Sequence, residues 1–89
     1  MTLKDYEIEV LKQMYDKSII KNGYRSIEKI AFKIHWTTIQ RKYNVKKRLH
    51  SILKKLHSSG YVDDHGKSGD VYSLSDMGVA FVNGLENNK

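Results

Sequence analysis

Apolar positions near the start of the chain recur at helical spacing. Leu3, Tyr6, Val10, Leu11 and Met14 follow an i, i+3, i+4, i+7 rhythm, with Thr2 placed to cap and Asp5 three residues later. The rhythm predicts an N-terminal helix over residues 1–20. Ile8, Tyr15 and Ile19 form a second stripe well around the wheel from the first. Asn22-Gly23 is a turn signal, and Ser26 then stands as N-cap to a helix carrying Ile27, Ile30, Ala31 and Ile34 on one face. "HWTTIQRKYN" reads as a short third helix capped by Thr37 or Thr38, or as a run-on into the next helix. The short helix is preferred, because Asn44 suits both a left-handed turn and the capping of the next helix.

From Val45 the pattern is plain. Val45, Leu49, Ile52, Leu53 and Leu56 fall within about 100° of a 3.6-residue wheel, and Gly60 ends the helix. Tyr61-Val62 and Val71 to Leu74 are strand-like, separated by "DDHGKSGD", which is polar and holds two glycines. This predicts a hairpin over 60–74. Ser75 caps a last helix over 75–86, with Met77, Ala80 and Phe81 on one face and Val79 and Val82 on another. The fold class expected is mainly α with a small β-hairpin, in one domain over residues 1–89.

Charge changes the picture. The 89 residues carry a formal net charge of +6, and its distribution is uneven. Between Lys29 and Val62 there is no acid, but there are nine bases: Lys29, Lys33, Arg41, Lys42, Lys46, Lys47, Arg48, Lys54 and Lys55. Acids flank this block on both sides, ending with Glu28 before it and resuming at Asp63. A soluble helix mixes its signs, because like charges four apart repel. A bounded basic block therefore implies a face that meets an anionic partner. For Lys55, beyond the helix start, plain solvation is the favoured expectation.

The order of elements, "IEKIAFKI", "YNVKKRLHSILKKLHSSGYV" running into a hairpin, and "YSLSDMG" together resemble the winged helix-turn-helix family. The last motif is similar to the Leu-Thr-x-x-Gly that comes after the wing in MarR-like and PadR-like regulators. Small regulators of archaea and their viruses share this plan. The resemblance covers about Ser26 to Gly78 and departs from the minimal pattern by several extra residues between "IA" and "GYV". It implies a helix-turn-helix over 26–59 whose recognition helix, about 45–58, enters the major groove of double-stranded DNA, with a wing at about 63–70 on the backbone. The residues so implicated are Arg41, Lys42, Asn44, Lys46, Lys47, Arg48, His50, Ser51 and Lys54, with His65, Lys67 and Ser68 at the wing tip. Lys47 and Ser51 are expected to govern base choice, and Lys67 to govern affinity.

The leftover stripes predict a homodimer through the terminal helices, with Ile8, Tyr15, Ile19, Val79 and Val82 in the interface. The function expected is sequence-specific DNA binding by a homodimeric transcription regulator. A non-specific architectural DNA-binding protein is the first alternative, favoured by a lysine-dominated face. A winged-helix module that docks an acidic protein is the second.

Other chemistries find little purchase. His35, His50, His57 and His65 have no acid or cysteine at ligand spacing, so no metal or cofactor is expected. No nucleophile–base–orienter set supports catalysis. "HGKSG" sits inside a hairpin rather than between strand and helix, unlike a phosphate loop. Absence of cysteine, of a long apolar run and of a basic leader points to a cytoplasmic protein (host cytoplasm if the source is viral) with no membrane partner.

Overall fold

The computed structural model describes residues 3–21, 23–65 and 71–87, with 86 and 87 by backbone only. Its described elements are α1 (Asp5–Asp16), β1 (Arg25–Ser26), α2 (Ile27–Lys33), α3 (Trp36–Tyr43), α4 (Leu49–Ser58), β2 (Val62–Asp64), β3 (Val71–Leu74) and α5 (Asp76–Asn87). The chain is mainly helical with a small antiparallel sheet of three strands, in the order β1-β3-β2. Val62 faces Leu74 and Asp64 faces Tyr72 across the hairpin, while Arg25 faces Tyr72 on the other edge. The hairpin was expected. The third strand was not: two residues, one charged and one serving as helix cap, carry no strand pattern.

One core joins the elements. Val10, Leu11 and Met14 of α1 meet Ile30 and Ile34, Trp36 and Ile39, the α4 stripe of Leu49, Ile52, Leu53 and Leu56, and Tyr72 and Leu74 of the sheet. The inward faces of α1, α2 and α4 are those that the periodicity marked. Val45 packs against this core, half-buried.

Several boundaries differ from the expected ones, each for a local reason. The N-terminal helix begins at Asp5 rather than after Thr2, which lies outside the described residues; the Lys4 N–H donates to Glu7 Oε1 at 2.8 Å and closes the helix end. The same helix stops at Asp16, short of residue 20. Ser18 takes a left-handed conformation (φ 61°), and the Ile19 N–H returns to Met14 O at 2.9 Å, a Schellman closure made without glycine. Ile20 then bridges Leu74 in parallel, extending the sheet.

Ser26 caps α2 as expected, its Oγ accepting from the Lys29 N–H at 3.3 Å. The short third helix exists, yet neither Thr37 nor Thr38 caps it. His35 occupies the N-cap position in the left-handed region, φ 55° and ψ 56°, and makes no side-chain cap bond. Asn44 closes α3 in the same conformation, φ 54°, a role suited to its short polar side chain.

Asn44 does not cap the next helix. Residues 45–48 are non-helical, Arg48 is extended, and α4 starts only at Leu49. Three consecutive cations, Lys46, Lys47 and Arg48, would otherwise sit in a first turn whose dipole is already positive. The other end of α4 behaves as read. Gly60 (φ 89°) comes after it, with the Gly60 N–H on His57 O and the Tyr61 N–H on Leu56 O, both at 3.0 Å.

Ser75 caps α5 by accepting from the Gly78 N–H at 3.1 Å, and it donates to Gly60 O at 2.6 Å. The inner face of α5 is not the expected one. Val82 is fully buried, Phe81 is half-buried against Tyr61, and Met77 is 48 % exposed.

Candidate nucleic-acid interface

The basic block folds into α2, α3, the 45–48 connector and α4. Arg41 and Lys42 stand exposed at the end of α3, Asn44 at the turn, and Lys46, Lys47 and Arg48 along the connector. His50, Ser51 and Lys54 are exposed on α4, because Leu49, Ile52, Leu53 and Leu56 turn the opposite side inward. The nine candidate residues from Arg41 to Lys54 are thus all exposed. They divide in a way the pattern did not foresee: Lys46, Lys47 and Arg48 precede the helix, so Lys47 is not a groove-facing helical residue.

Within α4 the sign of the surface is altered at one point. Lys55 Nζ lies 2.9 Å from Glu7 Oε2, and Glu7 is buried to 1 % exposure beneath it. Lys55 was expected to be simply solvated; it is an ion-pair partner that ties α4 to α1. Burial pushes the Glu7 carboxyl up, but the Lys4 N–H and the Lys55 ammonium outweigh it and hold the group below its ordinary value. The same contact raises Lys55. Of the nine bases in the block, Lys55 alone forms an ion pair among the described residues. His57 Nε2 is 3.8 Å from Asp64 Oδ1 on the surface, at the junction of α4 and β2.

The residues expected at a wing tip fare differently. Lys67 and Ser68 lie outside the described residues. His65 is exposed but does not extend freely: its ring stacks on Tyr24 with centroids 4.5 Å apart and planes inclined by 27°, and its backbone N–H donates to Val71 O at 2.8 Å. The partner Tyr24 comes from the segment before β1, which explains why the hairpin sequence alone gave no sign of it.

The residues assigned to a dimer interface divide too. Ile8, Tyr15 and Val79 are half-buried, and the Tyr15 hydroxyl donates to Asn83 Oδ1 at 2.7 Å. Ile19 (1 % exposed) and Val82 (0 %) belong to this chain's own core and offer nothing to a partner. Ile19 comes directly after the left-handed Ser18, so the helical wheel that placed it outside no longer applies. Phe32, by contrast, is 82 % exposed on α2.

A cleft of about 240 Å³ lies between α1 and α3. Glu9 lines it, accepting from Gln13 Nε2 at 2.9 Å and from the Tyr43 hydroxyl at 3.2 Å. The Gln13 bond lowers the Glu9 carboxyl most; burial opposes, and the Tyr43 hydroxyl, Lys12 and Lys42 add to the lowering. Among the described residues no group of three or more His, Asp or Glu side chains is placed to hold a metal, and no helix is long and apolar enough to cross a membrane. No protein-family model, curated protein or solved structure matches the chain.

Proposed function

We propose that this chain is a winged-helix protein that binds double-stranded DNA as a homodimeric transcription regulator. One observation carries the reading. A set of exposed bases lies on α3, the 45–48 connector and the open face of α4, and among the described residues only Lys55 of the block forms an ion pair within the chain. The order α1-β1-α2-α3-α4-β2-β3-α5 supports a winged helix in which α4 is the recognition helix and the hairpin the wing. The helix α3 accounts for the extra residues relative to the minimal pattern.

In this reading Lys46, Lys47 and Arg48 approach phosphates just ahead of the helix, and His50, Ser51 and Lys54 approach base edges from its first turns. Ile8, Tyr15 and Val79, together with the exposed Met77, are apolar positions on the terminal helices left for a twofold contact. Fluorescence anisotropy across a salt series tests the core of it. Neutralising several phosphates gives a steep log–log slope, and a slope near zero sinks the proposal.

A second reading, an architectural protein with little sequence preference, is favoured by the connector. Three of the bases stand before α4 rather than on it, where they meet backbone more readily than bases. Selection from random duplexes separates the two: a palindromic consensus supports the regulator, a flat outcome the architectural protein.

A further inference from the structure

The cleft between α1 and α3 is lined by a carboxylate, Glu9, that DNA binding does not use. Its floor is formed by Ile34 and Ile39, both buried, and its rim by Glu9, His35, Thr38 and Lys42. A volume of about 240 Å³ equals that of roughly eight liquid waters, enough for an organic body of about ten non-hydrogen atoms.

Glu9 makes the cleft selective. Each of its oxygens accepts one bond within the chain, from Gln13 and from Tyr43. A carboxylate offers about four lone-pair sites, so about two remain for a donor from outside. The lowered Glu9 carboxyl is ionised at neutral pH. A simple cation entering here meets Glu9 but also the ammonium groups of Lys12 and Lys42, both near enough to act on Glu9. A simple anion is drawn to Lys42 and repelled by Glu9. A small zwitterion satisfies both signs, and an aliphatic body covers the two isoleucines.

We propose that this cleft binds an aliphatic α-amino acid, with its ammonium on Glu9, its carboxylate on Lys42 and its side chain on Ile34 and Ile39. A consequence rests on the DNA-binding reading. Lys42 belongs both to the cleft and to the exposed basic surface, so a ligand carboxylate and a DNA phosphate compete for it. Tyr43, which bonds Glu9, is the last residue of α3 before the connector. Ligand and DNA therefore oppose one another, and by linkage each weakens the other by the same factor, about fivefold or more.

Calorimetry on the protein without DNA tests the site, with L-leucine as probe. Two matched compounds each lack one charge: 3-methylbutylamine and 4-methylpentanoate. We expect L-leucine to bind one per chain with a Kd below about 1 mM, and each matched compound at least about tenfold more weakly. Glu9→Gln should abolish leucine binding while lowering the thermal transition, since the Gln13 and Tyr43 bonds lose an ionised acceptor. Thr38→Trp, at an exposed position on the rim, should block binding with an unchanged thermal transition. Lys42→Ala should erase the preference for leucine over the amine.

Absence of heat with L-leucine, L-isoleucine and L-valine at about 10 mM overturns the proposal. So does equal binding of amine and amino acid, or wild-type leucine binding by both Glu9→Gln and Thr38→Trp. Leucine binding in a protein that binds no DNA leaves the site standing and removes the DNA reading. Leucine binding that leaves DNA affinity unchanged overturns the competition at Lys42.

Discussion

The Lys55 ammonium sits 2.9 Å from Glu7 Oε2, so the acid-free helix α4 is answered by a buried carboxylate on α1. Glu7 has two tasks: its other oxygen accepts the Lys4 N–H that opens α1. A single side chain thus ends one helix and docks another.

That arrangement makes stability depend on pH with a definite sign. The Glu7 carboxyl lies below its ordinary value in the folded chain, because the Lys4 N–H and Lys55 outweigh the opposing effect of burial. A folded value below the unfolded one gives stability that is present above the ordinary carboxylate range and lost as pH falls through the lowered value. Glu7→Gln should cost about 1–3 kcal/mol at neutral pH. In denaturant titrations the gap to wild type should close in acid; a gap independent of pH refutes the assignment.

The connector and the helix should contribute differently to DNA binding. Replacing Lys46, Lys47 and Arg48 together by alanine should reduce the log–log salt slope by roughly 0.9 for each phosphate no longer neutralised. It should weaken cognate and random duplexes alike. Ser51→Ala or His50→Ala should instead change discrimination, by about 1–3 kcal/mol for a good base contact. Anisotropy with both duplex types checks this, and a triple variant that loses specificity while keeping its salt slope contradicts it.

Two glycines of α5 should respond oppositely to alanine. A Cβ at Gly78 would collide with the Tyr61 carbonyl oxygen, while nothing lies within 4 Å of one at Gly84. Gly78→Ala should destabilise by about 1–3 kcal/mol through overpacking. Gly84→Ala should stabilise by up to about 1 kcal/mol through helix propensity. Thermal melts of the two variants provide the comparison, and equal shifts would contradict the close crossing of α5 over Tyr61.

The dimer contact should be separable from folding. Ile19→Asp and Val82→Asp place a charge in the core and should unfold the chain. Ile8→Glu with Met77→Glu should leave a folded monomer that binds DNA less tightly. Circular dichroism reports the first pair and sedimentation equilibrium the second. A wild type that stays monomeric at concentrations well above its DNA dissociation constant excludes the dimer.

Local chemistry determined much of this protein before any tertiary contact. The α4 stripe of Leu49, Ile52, Leu53 and Leu56, the Gly60 stop, the Ser26 and Ser75 caps and the Asn44 turn all act within a few residues, so periodicity and capping rules find them. The basic block was equally plain, because charge is a property of the chain itself. Only the tertiary structure decided the rest. Ser18 ends α1 with no glycine to mark it, so Ile19 beyond it turns inward, and Val82 is buried because α5 packs against α1 and β3. Arg25–Ser26 is a strand only because β3 offers it hydrogen bonds. Glu7 with Lys55, Glu9 with Tyr43 and Tyr24 with His65 are pairs distant in sequence. Each forms when packing brings two segments together, and single-segment patterns carry no signal for such a meeting.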